Sequence, residues 1–597
     1  MILFRDKCIF TGAMKSVFTL FLLFVFSFSF CQIIPTERVV DWSVAGVETD
    51  FDDPDIMLNV MNFGAIGDGV TDDSDAVISA IAALNGDPGI VFFPEGDFLI
   101  KSTISLHSGV IIRGVDSLST KILIDFDGAA TNVFQMYGAA AFSFIPVADG
   151  YYFNSDFIVA PENTNVIEGD YVEMVQDNGS WDVVPADWAE NVVGQIIRIT
   201  DVVDDTLFFE YPLRISFSEV LNPRIRKIIP IQNCAIENLK MIRLDEPVEG
   251  AGSNISISFA VNCRVSAVES FKSVGSHVAI SNSSQIKISD SYFHHAFTYD
   301  GSGTRGYGVT LSMHSGECLI VDNIFEHLRH AMMVKTGSNG NVFSYNYSID
   351  PYRSETINDF SGDISLHGHY AYANLFEGNI AQNIIIDHYW GPSGPLNTFF
   401  RNRAELYGFI TTSADLQTSQ MNIVGQEITN TDFLYGMYQI FGENHFEYGN
   451  YVKGDILPFY TNDLPDSSYY LIEKPDFWHI PQQWPSIGIP YEIGEGTNPA
   501  KERYFGFSTS VISFSDGCLL KIYPNPVKNY FILEGCSFKN ILLKITALNG
   551  KCVFEKRLLS DVNSITINIA DNITNGVYVL SLVSDSSCLS KKIVIQK

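Results

Sequence analysis

The chain is poor in charge, and above all in positive charge. Only 18% of its 597 residues are charged, and 37 Lys and Arg stand against 69 Asp and Glu, a formal net charge of −32. Such a field repels nucleic acid and anionic membrane surfaces at long range, so neither is expected as a partner. It also disfavours a polyanionic ligand unless a local basic patch or a bound cation reverses the sign. Long helical periodicity is missing, which argues against a helix bundle. Glycine and phenylalanine are abundant instead, with 45 and 44 copies, as suits strands and tight turns. The nine cysteines contain no Cys-x-x-Cys pair, so a zinc cluster has no support. Cys234, Cys263 and Cys318 sit in apolar strand runs and read as buried thiols, whereas Cys518, Cys536, Cys552 and Cys588 can pair near the C-terminus.

The one long apolar run is SVFTLFLLFVFSFSF, which follows Met14-Lys15 and ends at Cys31. It is too short for a permanent membrane span, and Ser29 and Cys31 are small residues at the minus-three and minus-one positions. Residues 1–31 therefore read as a signal peptide, and the mature chain as secreted or surface-held with no transmembrane segment.

Between about 230 and 450 the sequence repeats without repeating its letters: a β-branched run, a polar turn, and a second apolar run ending in Ser or Asn. Alignment places Ser270, Ser291, Asn323, Asn346, Asn379 and Asn402 in one column, at separations of 21, 32, 23, 33 and 23 residues. This is the pattern of coiled strands in a solenoid, with loops inserted at 296–306 and 350–362. The Asn column is expected to form a buried hydrogen-bonded ladder, and the inserted loops are where function is expected.

Residues 59–114, with Gly64, Gly67 and Gly69 permitting a turn and Asp72 or Ser74 placed to cap a helix through Ala76 to Leu84, carry a specific signature. They resemble the N-terminal part of the pectate-lyase-like superfamily. The resemblance implies an all-β, right-handed, single-stranded parallel β-helix whose N-terminal end is covered by that helix. In it, Asp68, Asp72, Asp73 and Asp75 belong to the cap and not to a site. The body is expected over 57–510, after an N-terminal arm at 32–56, with a small β-domain inserted at about 140–230 and a wrapping tail at about 455–510. From Tyr523-Pro524-Asn525-Pro526 to the basic C-terminal strand, residues 518–597 resemble the type IX secretion sorting domain of Bacteroidota. That implies a small β-sandwich that engages the type IX machinery and directs export through the periplasm and outer membrane.

Eight of the twelve histidines fall between 294 and 388. Between 326 and 403, five basic residues nearly offset seven acids, so a weakly basic cleft is expected on an acidic protein. Matching offsets place Lys335, His367 and Asp387 just past three successive strands, MMV, ISL and III. The run HAMMVKTGSNGNVFSYNYS with GDISLHGHYAYANLFEGNI is similar to the catalytic rungs of alginate-lyase and chondroitinase-B-like β-helix lyases. There a Lys after a strand is the base, though His367 stands where that family carries Arg. The resemblance implies a polysaccharide lyase acting on a uronate by β-elimination. Lys335, His367, His369, His330 and Asp387 are then the catalytic candidates, and Arg329, His294, His388, Trp390, Arg401 and Arg403 the substrate-binding ones. Glu377 and Asp363 are candidate calcium ligands, no other cofactor being indicated. A two-carboxylate glycoside hydrolase and a non-catalytic adhesive β-helix are the alternatives.

Overall fold

The computed structural model describes residues 32–506, apart from 47–50, 162–163, 247–251, 302, 414 and 416, together with the strand-bearing stretches between 521 and 595. The leader, Cys518, Cys536 and the side chains of Cys552 and Cys588 lie outside the described residues.

Apolar residues alternate along short strands that stack in parallel from rung to rung, forming three faces of a parallel β-helix. The first sheet runs from Gly89–Phe92 through Val110–Arg113, Ser284–Ser289, Leu319–Val321, Val342–Ser344 and Leu375–Glu377 to Phe446–Tyr448. The second passes through Tyr292–His294, Ile324–Glu326 and Tyr347–Ile349. The third passes through Ser276–Ser281, Tyr307–Ser312, His330–Val334, Ile364–Leu366 and Ile380–Ile386. Inward residues in register stack on one another. Ile320, Phe343, Phe376 and Phe399 form one such row, with successive phenylalanine rings stacked at 5.1 Å. Cys234, Cys263 and Cys318 are buried free thiols, as expected.

The turns between sheets carry the polar ladder. Asn323 Nδ2 donates to Asn346 Oδ1 at 3.0 Å, Asn346 to Asn379 at 2.9 Å, and Asn379 to Asn402 at 2.8 Å, and Asn402 continues to Gln426 at 3.2 Å. Ser291 belongs to this column, its backbone N–H donating to Asn323, but Ser270 does not. Register pairs Ser270 with Phe293, so Val268 occupies the Ser291 position one rung earlier, and Ser270 Oγ faces Asn254 and His277 instead. A second ladder, Asn341 to Asn374 to Asn397, runs along another turn and was not anticipated.

The expected cap helix spans Ser74–Ala83 and turns Ala76, Val77, Ala80 and Ile81 onto the end of the barrel. Its carboxylates serve the cap. Asp73 accepts the Ile66 and Gly67 N–H groups, and Asp72 accepts the Ser74 N–H. Between 139 and 229 the chain leaves the rungs for an antiparallel sheet. This insertion is pinned to the helix turns by the buried Arg214–Glu317 ion pair, by His314 on Glu173 at 2.8 Å, and by Val192, whose carbonyl leaves no room for a Cβ at Gly337. The described C-terminal strands pair antiparallel in three- and four-stranded sheets around their own apolar cluster. Among the described residues, no helix is long and apolar enough to cross a membrane.

Each ladder amide is buried and makes two or more hydrogen bonds, so its loss orphans partners above and below. Asn346→Ala is expected to cost roughly 2–3 kcal/mol in denaturant unfolding at neutral pH. A loss under about 0.5 kcal/mol would show that the ladder is not a stabilising element.

Candidate active-site cleft

In the third sheet Met332, Ile364 and Ile384 face the core, as do Val334, Leu366 and Ile386. The residue after each strand must therefore point outward. Register pairs Val334 with Leu366 and Leu366 with Ile386, so Lys335, His367 and Asp387 form a row on three successive rungs. Two of the three meet directly: His367 Nδ1–H donates to Asp387 Oδ2, a charge-assisted contact that fixes the ring and leaves Nε2 free. Burial alone would push the Asp387 carboxyl up. The His367 charge and hydrogen bond and the Tyr389 N–H at 2.9 Å together hold it below its ordinary value.

This pair lines a cleft of about 670 Å³ whose other walls include Tyr307, Arg329, His330, Tyr389, Trp390 and Thr412. Both inserted loops border it, through Gly301 and Gly303 from the first and Arg353, Glu355, Phe360 and Ser361 from the second. His330 packs edge-on to Tyr307 and lies 5.6 Å from the His367 ring, centroid to centroid, and its Nδ1–H donates to the Gly362 carbonyl at 3.2 Å. Burial, with His367 and Arg329 nearby, pushes it down to about 3, so it is a neutral imidazole over the physiological range. Arg329 Nη1 and Arg353 Nε are buried without a hydrogen-bond partner, although Arg353 also pairs with Glu355 through Nη2. Two guanidinium groups in one cleft supply the local positive charge that the whole chain lacks.

Of the sequence candidates, His330, His367, Asp387, Arg329 and Trp390 therefore come together. Lys335 does not line the cleft. Its ammonium lies 5.8 Å from the centre of the Trp188 ring, supplied by the insertion, and burial lowers its pKa. His369 is fully buried beneath Trp188 and Trp390, with neither ring nitrogen bonded.

The remaining candidates are placed elsewhere and have structural work. Arg401 donates to the Leu464, Asp466, Ile487 and Ile489 carbonyls and so clasps the wrapping tail. Arg403 is buried on Glu427 at 2.6 Å and also holds the Gly496 carbonyl. His388 Nε2 accepts the Thr418 N–H at 3.1 Å. His294 stacks on Tyr292 and faces Glu269 on the second sheet. The two expected calcium ligands are separated. Asp363 accepts the Gln382 and Asn383 N–H groups, while Glu377 accepts the Tyr345 hydroxyl and the Tyr469 N–H under the tail, and burial pushes both up to about 7. Among the described residues, no three His, Cys, Asp or Glu side chains converge to hold a metal. Tyr307, Arg353 and Thr412 were missed as site residues. The position of Arg353 inside an inserted loop was the available signal, whereas Tyr307 and Thr412 carry none.

Comparison with known proteins bears on the two ends of the chain. Residues 57–192 match the family model described as rhamnogalacturonase A/epimerase, pectate lyase-like, and residues 521–596 match the secretion system C-terminal sorting domain. The chain thus joins a pectate-lyase-like β-helix to a C-terminal sorting domain that marks it for export, as a secreted or cell-surface protein. A probable rhamnogalacturonase E from Aspergillus niger is 27% identical over 117 residues, 18% of this chain and 25% of that protein. Plasmin and fibronectin-binding protein A from Streptococcus pneumoniae is 46% identical over 56 residues, 9% of this chain and 8% of that protein. The match spans a quarter or less of these relatives' own lengths. The tailspike protein gp49 from Pseudomonas phage LKA1 is similar at 16% identity and a TM-score of 0.47, covering 62% of this chain and 64% of that one. The matched pectate-lyase-like segment ends before the first residue of the cleft.

The neutral state of His330 has a consequence for stability. Its folded pKa of about 3 lies below the unfolded value of about 6.5, so the unfolded chain binds the proton first. The contribution of His330 to stability is full above pH 6.5 and is lost as the pH drops towards 3. His277, also held down to about 3, acts in the same sense. His330→Gln is expected to reduce the loss of unfolding free energy between pH 7 and pH 5 by about 2 kcal/mol. An unchanged slope would mean that His330 is not buried neutral.

Proposed function

We propose that the protein is an exported polysaccharide lyase that cleaves a uronate-containing glycan by β-elimination in this cleft. The observation that carries the reading is the combination of an Asp-oriented imidazole with two arginines, in a cleft without two uncommitted carboxylates. Elimination requires the uronate carboxylate to be neutralised, so that the adjacent carbon-bound proton becomes acidic enough to remove. Arg329 and Arg353 hold that carboxylate, the role a calcium ion plays where basic side chains are absent. His367 Nε2 takes the carbon-bound proton, and Asp387 stabilises the imidazolium that forms. The electron pair passes through the carboxylate-stabilised intermediate to form the carbon–carbon double bond as the glycosidic C–O bond breaks. Tyr307, kept protonated by burial, gives its proton to the leaving oxygen. Trp390 and Tyr389 offer faces for sugar rings.

Two-carboxylate hydrolysis fits less well, since Asp387 is committed to His367 and Glu355 to Arg353. The partial match to a probable rhamnogalacturonase supports a galacturonate-containing polymer as the first substrate to test.

The test is a panel of uronate polysaccharides followed by ultraviolet absorbance of the unsaturated product and by reducing ends. Wild-type protein is expected to generate both signals. His367→Ala is expected to lower kcat at least about 100-fold, and Asp387→Asn about tenfold or more, with Lys335→Met staying within about tenfold of wild type. Reducing ends without absorbance would mean hydrolysis. Full activity in His367→Ala would move the base elsewhere, and no product from any polymer would leave a binding protein.

A further inference from the structure

Arg329 and Arg353 reach the cleft from different segments. Arg329 stands in the short turn between Glu326 and His330, whereas Arg353 stands in the second inserted loop, on the following rung. Two guanidinium groups hold one carboxylate only if the segments that carry them keep a fixed relation to each other. The side chains that fix it lie outside the cleft lining.

Register pairs His294 with Glu326 and Glu326 with Ile349, so the next residues, His295, His327 and Asp350, form a column where the second sheet ends. All three have left-handed backbone, at φ of 60°, 53° and 54°, which turns the chain out of the sheet and into the loops or the short turn. The His295 and His327 rings stack at 4.8 Å, and Tyr352 folds back from the second loop to stack on His327 at 4.4 Å and 20°. Tyr299 of the first loop meets both His327 and Tyr352 edge-on, at 5.2 and 4.8 Å. His327 Nδ1–H also donates to Asp350 Oδ2 at 2.7 Å, and the Tyr352 N–H donates to the Leu328 carbonyl at 3.0 Å. Neither tyrosine belongs to the apolar core of the barrel, so the four rings tie the two loops to the short turn and do not close the barrel itself.

Arg353 is thereby held from both sides. Tyr352 precedes it, and Ser354, which follows it, donates its N–H to Asp300 Oδ2 of the first loop at 2.9 Å. Its own N–H donates to the Asn358 carbonyl at 2.7 Å. Arg329 lies two residues past His327, with its N–H on the Gly306 carbonyl of the first loop at 2.8 Å.

We propose that Tyr352, stacked on His327, is the positioning residue for Arg353, setting its guanidinium where it meets the carboxylate that Arg329 also holds. The inference rests on the reading of the cleft as a uronate site. Tyr352 touches no substrate in it and acts only through the backbone next to Arg353.

The experiment measures, in the full chain, kcat/KM on a uronate polymer and the rate of trypsin cleavage after Arg353, identified by mass spectrometry. Tyr352→Ala is expected to lower kcat/KM at least about tenfold, and Tyr352→Phe, which keeps the ring, to stay within about twofold of wild type. Action through Arg353 makes the two residues non-additive, so Tyr352→Ala added to Arg353→Ala is expected to lower kcat/KM by less than about twofold further. Trypsin is expected to cut Tyr352→Ala after Arg353 at least about fivefold faster than wild type, because the loop opens locally, and to cut Tyr352→Phe at the wild-type rate. Should Tyr352→Ala fail to fold, Asp300→Ala, which releases Ser354 and leaves the rings in place, is expected to lower kcat/KM about threefold and to have no effect in the Arg353→Ala background. Effects of Tyr352→Ala and Arg353→Ala that multiply, or a kcat/KM unchanged in Tyr352→Ala, overturn the inference and leave the cleft standing. If wild-type protein releases no product from any uronate polymer, the lyase reading falls and the cleavage rates decide. Faster cutting in Tyr352→Ala but not in Tyr352→Phe then supports the positioning of Arg353, and equal rates overturn it.

Discussion

Parallel rungs stacked in register are the constraint from which the rest follows. Each rung hydrogen-bonds to the next at a spacing of about 4.8 Å, and a slip of one residue would turn every inward side chain outward. The Asn323–Asn346–Asn379–Asn402 ladder opposes such slips, because each buried amide finds its side-chain partner at the matching position above or below. Residues twenty to thirty positions apart thereby become neighbours. The contact between His367 and Asp387 is one product of that register.

The buried charged residues fall into those tied into the scaffold and those gathered around the cleft. Arg401, Asp363 and Glu377 have protein partners, so their burial stabilises the fold. Around the cleft the pattern reverses. Arg329 Nη1, Arg353 Nε and both His369 nitrogens lack hydrogen-bond partners, His369 Nδ1 lying 3.9 Å from the Asp182 carboxylate, and Lys335 rests against an indole ring. A scaffold gains nothing from such groups, whereas a site that receives a polar ligand does. The insertion contributes by supplying Trp188, which covers Lys335 and His369 and meets Trp390 on the cleft wall.

Much of this was legible in the sequence because solenoid rungs write their register into spacing. The Asn column from 291 to 402, the two inserted loops, the cap helix and the row of Lys335, His367 and Asp387 all follow from it. Ser270 was misplaced because a strand running through Ala260–Phe271 lets two columns start from similar letters. The second ladder also left a signal, an Asn followed two residues later by Phe at 341, 374 and 397, and it went unread. What spacing does not encode is which outward positions stay open. The insertion covers Lys335 and the tail covers Glu377, Arg401 and Arg403, and both segments are distant in sequence from the rungs they bury. Arginine and histidine density therefore does not distinguish the candidates that line the cleft from those covered by the insertion and the tail.

The central claim is that His367, oriented by Asp387, faces a uronate held by Arg329 and Arg353. A crystal structure of the Asp387→Asn protein with a galacturonate oligosaccharide tests it most directly. The account requires a sugar carboxylate at about 3 Å from the guanidinium of Arg329, with the adjacent C–H directed at His367 Nε2. An oligosaccharide bound in the cleft with its carboxylates turned away from both arginines, or with His367 out of reach of that carbon, would contradict it.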